Sequence, residues 1–192
     1  MLSSVDNNKI DQIAAHFEEI IKLLGEDSSR EGLAKTPQRA AKALYYLTSG
    51  YRSQPDEVVG DALFEHEGSQ IVTVKDIEFY SMCEHHILPF FGNVSIGYIP
   101  NGKIVGLSKV ARLVNLFARR LQVQERLTAQ LCKEVQRIIG AKGVMVVCTA
   151  HHLCMKMRGV EKQNSTTTTI DYVGAFADDP ALRAEFLRML DD

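Results

Sequence analysis

The apolar residues of this chain change their period near residue 70, and that change limits the folds open to it more than any other feature. Before it, Ile10, Ile13, Ala14, Phe17, Ile20, Ile21 and Leu24 recur at intervals of three and four. This spacing predicts an amphipathic helix stopped by Gly25. A second helix is expected from Thr36, as N-cap with Pro37 in the first turn, through Ala40, Ala41, Leu44, Tyr45 and Leu47 to Gly50. From Gln70 onward the pattern shortens, and 71–74, 77–80 and 94–99 alternate or cluster as strands do. Asn101-Gly102 supplies the positive φ angles of a tight hairpin, with Lys103 to Gly106 as the returning strand.

Two helices then interrupt the strands, one capped by Ser108 and running through Leu121, the other following Gln124 and ending at Gly140. Further strands are expected at 143–149 and 166–173, and Asp179-Pro180 opens a short terminal helix. Strands grouped as hairpins on either side of a helix pair predict an α+β fold, with an antiparallel sheet carrying helices on one face. The run Thr166 to Thr169 suits a strand through its β-branching and offers hydroxyls for hydrogen bonds.

Lys and Arg number 22 against 24 Asp and Glu, a net charge of -2. That balance excludes a generally basic nucleic-acid binder but permits a local cluster of cations around an anionic ligand. No apolar run has the length of a membrane span. The opening MLSSVDNNKIDQ has neither the basic start nor the apolar block of a secretory leader, so a cytoplasmic protein is expected. In that reducing setting the four cysteines read as thiols or metal ligands and not as a disulfide framework.

Their neighbours divide them. Four of the six histidines form the pairs His85-His86 and His151-His152, each within three residues of a cysteine, Cys83 or Cys154. A thiolate and an imidazole three residues apart can reach one metal across a turn, and the second cluster adds another thiolate. Mixed sulfur and nitrogen donors suit zinc. Two Cys and one His fit an open, catalytic site, while a closed structural zinc with four protein ligands stays as the alternative. If the chain around His152 is extended, His152 and Cys154 share a side and His151 faces the other. Cys132 and Cys148, in apolar helix and strand contexts, are expected in the core.

Cations gather at a helix start. Gly106-Leu107-Ser108-Lys109 followed by Arg112 places two basic side chains where helix termini attract phosphate. Arg158 comes soon after the second Cys/His cluster, and Arg39 lies on the Thr-Pro-Gln-Arg helix start, so several cations are available to a triphosphate.

The segments Ser81-Met82-Cys83-Glu84-His85-His86, Gly106 to Lys109 with Arg112, Gln122 to Thr128, and His151 through Gly159 together resemble the bacterial-type GTP cyclohydrolase I family. The resemblance covers nearly the whole chain. It implies a tunnelling fold, with residues 1–69 as an N-terminal helical segment and 70–192 as the catalytic domain of one structural unit. It implies zinc held by Cys83, His86 and Cys154, with His85, His152 and Ser108 in catalysis. Glu125 would hold the guanine, in a substrate site that also takes in Val123, Gln124, Leu107, Ser108, Lys109, Arg112, Arg158 and Arg39. The chemistry suits Glu125, because a carboxylate accepts two hydrogen bonds from a guanine edge that adenine lacks.

The implied reaction opens the imidazole ring of GTP hydrolytically and releases formate. It then rebuilds the rest as 7,8-dihydroneopterin triphosphate, the first step toward folates and pterins. The implied assembly is a homodecamer of two pentamers with sites between subunits, and no nucleic acid or membrane partner is expected. Two other functions stand beside this one. A zinc nucleoside deaminase lacks its His-x-Glu and Pro-Cys-x-x-Cys signature here. A non-enzymatic ring scaffold stabilised by zinc would require four protein ligands.

Overall fold

In the computed structural model residues 6–191 are described; the first five residues of the opening MLSSVDNNKIDQ, where a leader was sought, lie outside them. Helix α1 (Asn7–Leu23) begins under Asp6, whose carboxylate accepts from the Lys9 amide, and the chain leaves it through Gly25 at φ 88. Helix α2 (Thr36–Leu47) packs against it through Ile10, Ala14 and Ala41, in a small core of its own. Thr36 is not the cap that the sequence suggested. Lys35 holds the cap position, and the Thr36 hydroxyl bonds back to the Gly32 carbonyl. The helix also stops at Leu47 and passes into a 3-10 turn (Ser49–Arg52) before a short α3 (Pro55–Val59).

Strand β1 (Leu63–Glu65) is followed by the long strands β2 (Val72–Cys83) and β3 (Pro89–Ile99) and by β4 (Lys103–Val105). The turn at Gly102 (φ 79) forms, but β4 does not return along β3 as the Asn-Gly motif predicted. It pairs with β1 in a separate two-stranded sheet. The reason is that β3 has no free edge, since β2 occupies one side and β6 the other. The pairing also joins a strand inside 1–69 to one beyond it, so that segment is not wholly helical.

Helix α4 (Leu107–Ala118) is capped by Gly106 with no side-chain cap, which places Ser108 inside the first turn and corrects its expected capping role. It ends three residues before Leu121. Leu121–Gln122 instead form β5, parallel to Met82 and Cys83, and the Leu121 amide donates to the Tyr51 hydroxyl at 3.0 Å. Helix α5 (Gln124–Ile139) closes on Gly140 in the left-handed region, as expected. Strand β6 (Gly143–His152), the one-turn helix α6 (Leu153–Lys156), strand β7 (Thr167–Gly174), α7 (Ala175–Asp178) and α8 (Pro180–Asp191) complete the chain.

The main sheet runs β5-β2-β3-β6-β7, antiparallel except at β5. Helices α4 and α5 cover one face, and Phe79, Phe90, Val94, Ile96, Leu113, Leu127, Val144 and Cys148 meet there in the main core. The Phe79 and Phe90 rings pack edge to face at 5.8 Å, a contact worth about 1 kcal/mol beyond area burial. The other face is not bare as expected: α7 and α8 dock over Ile99 and Met145 through Phe176 and Phe186. Gly97 admits this packing, because a Cβ there would lie 2.6 Å from the Phe186 ring.

A bulge in β2 decides which way the end of that strand faces. The register passes from Val74↔Ile96 to Ile77↔Val94, one extra residue on β2, with Asp76 at φ 54 and its amide donating to Ser95 Oγ. Even positions Val72 and Val74 face the helices before it, and odd positions Ile77, Phe79 and Cys83 face them after it. Without the bulge Cys83 would point away from α4 and α5. Among the described residues no helix is long and apolar enough to cross a membrane.

Candidate metal and catalytic site

Cys83 ends β2, and the chain turns at once. The His86 and Ile87 amides both donate to the Cys83 carbonyl, and Ile87 takes φ 52 to close the turn. The turn swings His86 back over Cys83, with Nδ1 3.8 Å from Sγ. Cys154 arrives from the far side of β3, on the helical turn α6. Its place is therefore set by that turn and not by strand alternation with His152, as an extended chain would have had it. One ligand atom from each of Cys83, His86 and Cys154 lies within 4.8 Å of the other two.

The donor set fits a zinc ion. Adjacent sulfur and nitrogen ligands of a tetrahedral zinc stand about 3.6 Å apart, close to the Cys83–His86 separation. Burial, and after it the neighbouring Cys83, push the Cys154 thiol up, opposed in part by Arg158. A divalent ion would reverse that penalty and favour both thiolates. Arg158 lies over this group, with Nη1 3.3 Å from His86 Nε2.

His152 stands at the end of β6 on the helix side of the sheet. Its ring stacks on Phe90 at 4.7 Å with 3° between planes. Its Nε2 lies 2.8 Å from Gln124 Oε1, so that nitrogen is committed away from the metal group. Burial lowers the His152 pKa, opposed in part by the charge of Glu125. His151 points to the opposite face as alternation requires, beside Phe91 and 2.6 Å from Lys156 Nζ.

The first turn of α5 separates two neighbours. Gln124 faces the sheet and is 1% exposed, whereas Glu125, about 100° further round the helix, is exposed on the His152 side. Val123 is the extended cap residue before them. Glu84 binds Arg126 of the same turn at 2.5 Å and lies 3.8 Å from His85 Nε2, which ties the Cys-Glu-His-His turn to α5. The His85 side chain is 62% exposed. Exposed ion pairs of this kind are worth about 0–1 kcal/mol, so this one positions more than it stabilises.

The remaining sequence candidates are dispersed over the single chain. Leu107 and Ser108 are exposed on the first turn of α4. Lys109 and Arg112 line a cleft of about 490 Å³ with Arg119, Ser49, Ser53 and Glu57, and Lys109 Nζ donates to the Val58 carbonyl. Arg39 lines a different cleft, between α1 and α2, with Asp11 and Glu18.

Sequence reasoning put Gln124 in the substrate site but missed its place behind His152, and with it Thr169. Gln124 Nε2 donates to the carbonyls of Cys148 and Thr167 and to Thr169 Oγ1, while Thr128 bonds both Thr169 and the Gln124 carbonyl. The only signal was the threonine run, and its meaning depends on a β6–β7 register that pairs Cys148 with Thr169.

Comparison with known proteins bears on the whole chain. The pattern of a family described as GTP cyclohydrolase I matches residues 13–191. A protein of Bacteroides thetaiotaomicron named GTP cyclohydrolase 1 is 54% identical over 181 residues, covering 94% of this chain and 92% of that one. A Pseudomonas aeruginosa protein named GTP cyclohydrolase 1 2 is 55% identical over 175 residues, covering 91% and 97%. One from Pseudoalteromonas translucida, named GTP cyclohydrolase 1, is 55% identical over 174 residues, covering 91% and 95%.

Proposed function

The chain belongs to the GTP cyclohydrolase I family, and from that premise we propose how its residues divide the work. The activity is hydrolytic opening of the guanine imidazole ring of GTP, with loss of formate and rearrangement to 7,8-dihydroneopterin triphosphate, on an α+β tunnelling fold. The observation that supports the assignment of roles is the convergence of Cys83, His86 and Cys154 around one point, with His152 two residues before Cys154 in the chain.

Cys83, His86 and Cys154 would hold zinc, whose Lewis acidity would make water a usable nucleophile near neutral pH. Three protein donors, one fewer than a closed structural zinc takes, would suit a catalytic ion. His152 moves protons at guanine, helped by a ring that burial keeps neutral and that Phe90 holds in one plane. His85, exposed and steadied by Glu84, and Ser108 serve the later proton transfers. Glu125 receives the guanine N1 and exocyclic amine protons, between the Val123–Gln124 backbone and Leu107. Lys109, Arg112, Arg158 and Arg39 neutralise the triphosphate, at the exposed N-terminus of α4 where phosphate is favoured.

These groups do not all line one cleft of a single chain, which fits a site assembled between subunits. Strand β7 ends the sheet and carries Ile170 and Tyr172 at 46% and 40% exposure, an edge suited to pairing with another copy. The assembly is a homodecamer of two pentamers in the cytoplasm, each chain built of an N-terminal segment (1–69) and a catalytic domain (70–192).

The test is to incubate purified, metal-analysed protein with GTP. Formate together with a fluorescent oxidised pterin is the expected outcome. Ammonia in place of formate would make it a deaminase, and no turnover by zinc-replete protein would leave a scaffold.

A further inference from the structure

We infer that Gln124 is a positioning residue that fixes the tautomer of His152, leaving Nε2 protonated and Nδ1 as the nitrogen that exchanges protons with substrate. The inference rests on the reading of His152 as the proton-moving group, and it deepens that reading to the atom.

Obligate acceptors set the orientation of the Gln124 amide. A backbone carbonyl only accepts, so the Gln124 nitrogen, 2.9 Å from the Cys148 carbonyl and 3.0 Å from that of Thr167, must be the NH2 group. Turning the amide over would aim its oxygen at both carbonyls in a site where Gln124 is 1% exposed. The cost of that unpaired burial is what locks the amide. A hydroxyl chain locks it again. Thr128 gives its one proton to the Gln124 carbonyl at 2.9 Å, so in its 2.6 Å contact with Thr169 the Thr169 hydroxyl is the donor. Thr169 Oγ1 is thereby left with lone pairs for Gln124 Nε2 at 3.1 Å. The two amide protons are shared among three acceptors, the carbonyls of Cys148 and Thr167 and the Thr169 oxygen, and Gln124 Oε1 is left facing His152.

An amide oxygen only accepts. At 2.8 Å from Oε1, His152 Nε2 must therefore donate, and the neutral ring carries its lone pair on Nδ1. Turning the ring about Cβ–Cγ exchanges Nδ1 with Cδ2 and Nε2 with Cε1, so Nδ1 cannot take that place, and Phe90 stacks on the ring at 4.7 Å. Among the described residues Nδ1 has no hydrogen-bond partner. Nδ1 is thereby the nitrogen open to substrate, while Nε2 keeps its proton, donated in the hydrogen bond to Gln124 Oε1 that holds the ring still. Gln124 thus acts through His152 and turns none of its side-chain groups toward substrate.

The test is nitrogen-15 solid-state NMR of zinc-loaded protein labelled at histidine, with His152→Asn identifying the His152 signals, beside steady-state kinetics on GTP. Wild-type His152 is expected with Nε2 protonated and Nδ1 bare. Gln124→Met, which keeps the volume and removes the amide, is expected to give mixed tautomers. It should lower kcat about tenfold to a hundredfold with KM for GTP little changed, a fraction of what a proton-transfer group contributes. A wild-type ring protonated at Nδ1 would overturn the inference even if Gln124→Met failed to fold. So would a folded Gln124→Met with unaltered tautomer and kcat. A tautomer released by the substitution with kcat unchanged would uphold Gln124 as the positioning residue and overturn the role of His152 in catalysis, which separates the two failures.

Discussion

Cys83 is 6% exposed and Cys132 and Cys148 are 0% exposed, so burial does not tell the site cysteine from the core ones. Their surroundings do. Cys132 and Cys148 sit in the main core between α5 and the sheet, where desolvation pushes both thiols up to about 12. Among the described residues neither joins a group of side chains able to share a metal. Cys83 and Cys154 instead face one another and an imidazole, in an arrangement that gains from a cation. The difference teaches that a functional cysteine is made by converging neighbours and not by exposure.

The sharpest way to break that comparison is to remove the site set. Cys83→Ser, His86→Ala and Cys154→Ser are each expected to lose bound zinc and essentially all turnover while far-ultraviolet circular dichroism stays native, because this metal serves chemistry and not the fold. Wild-type zinc and activity in any one would strike that residue from the ligands. His152→Ala comes next: zinc and GTP affinity retained, with formate release slowed about a hundredfold to ten-thousandfold. Loss of zinc there would make His152 a fourth ligand and the site closed.

Glu125→Gln should weaken GTP binding by about 2 to 4 kcal/mol by calorimetry, since the amide presents a donor to two guanine donors. Unchanged affinity would put the guanine pocket elsewhere. The smallest effect belongs to the core pair. Cys132→Ala should cost about 1 kcal/mol of stability in denaturant unfolding, through the cavity left by one sulfur, and leave zinc content intact. A drop in zinc would dissolve the distinction between the two pairs.

Much of this was legible in the chain because local pattern and tertiary need agree. The period of α1 comes from a helix that buries one face, Gly140 ends α5 in the left-handed region, and β3 and β6 are apolar runs buried under helices on both faces of the sheet. The paired Cys/His clusters pointed to one place, and the fold brings Cys83, His86 and Cys154 together there. What was illegible depends on who takes which edge. Asn101-Gly102 predicts a hairpin only if β3 has an edge to offer, and Leu121 continues the α4 period although Met82 and Cys83 claim it for the sheet. Ser108 and Thr36 have the chemistry of caps, but the backbone turns elsewhere. Gln124 and Thr169 are ordinary polar residues until the sheet register brings them behind His152.

The central claim is that two of the four cysteines, one histidine and an open position make the metal centre. Zinc K-edge X-ray absorption on the purified wild-type protein reads that set directly. The account predicts two sulfur scatterers, one imidazole and one further light atom from solvent. Three or four sulfurs, or two imidazoles with two sulfurs, would describe a closed site and contradict it.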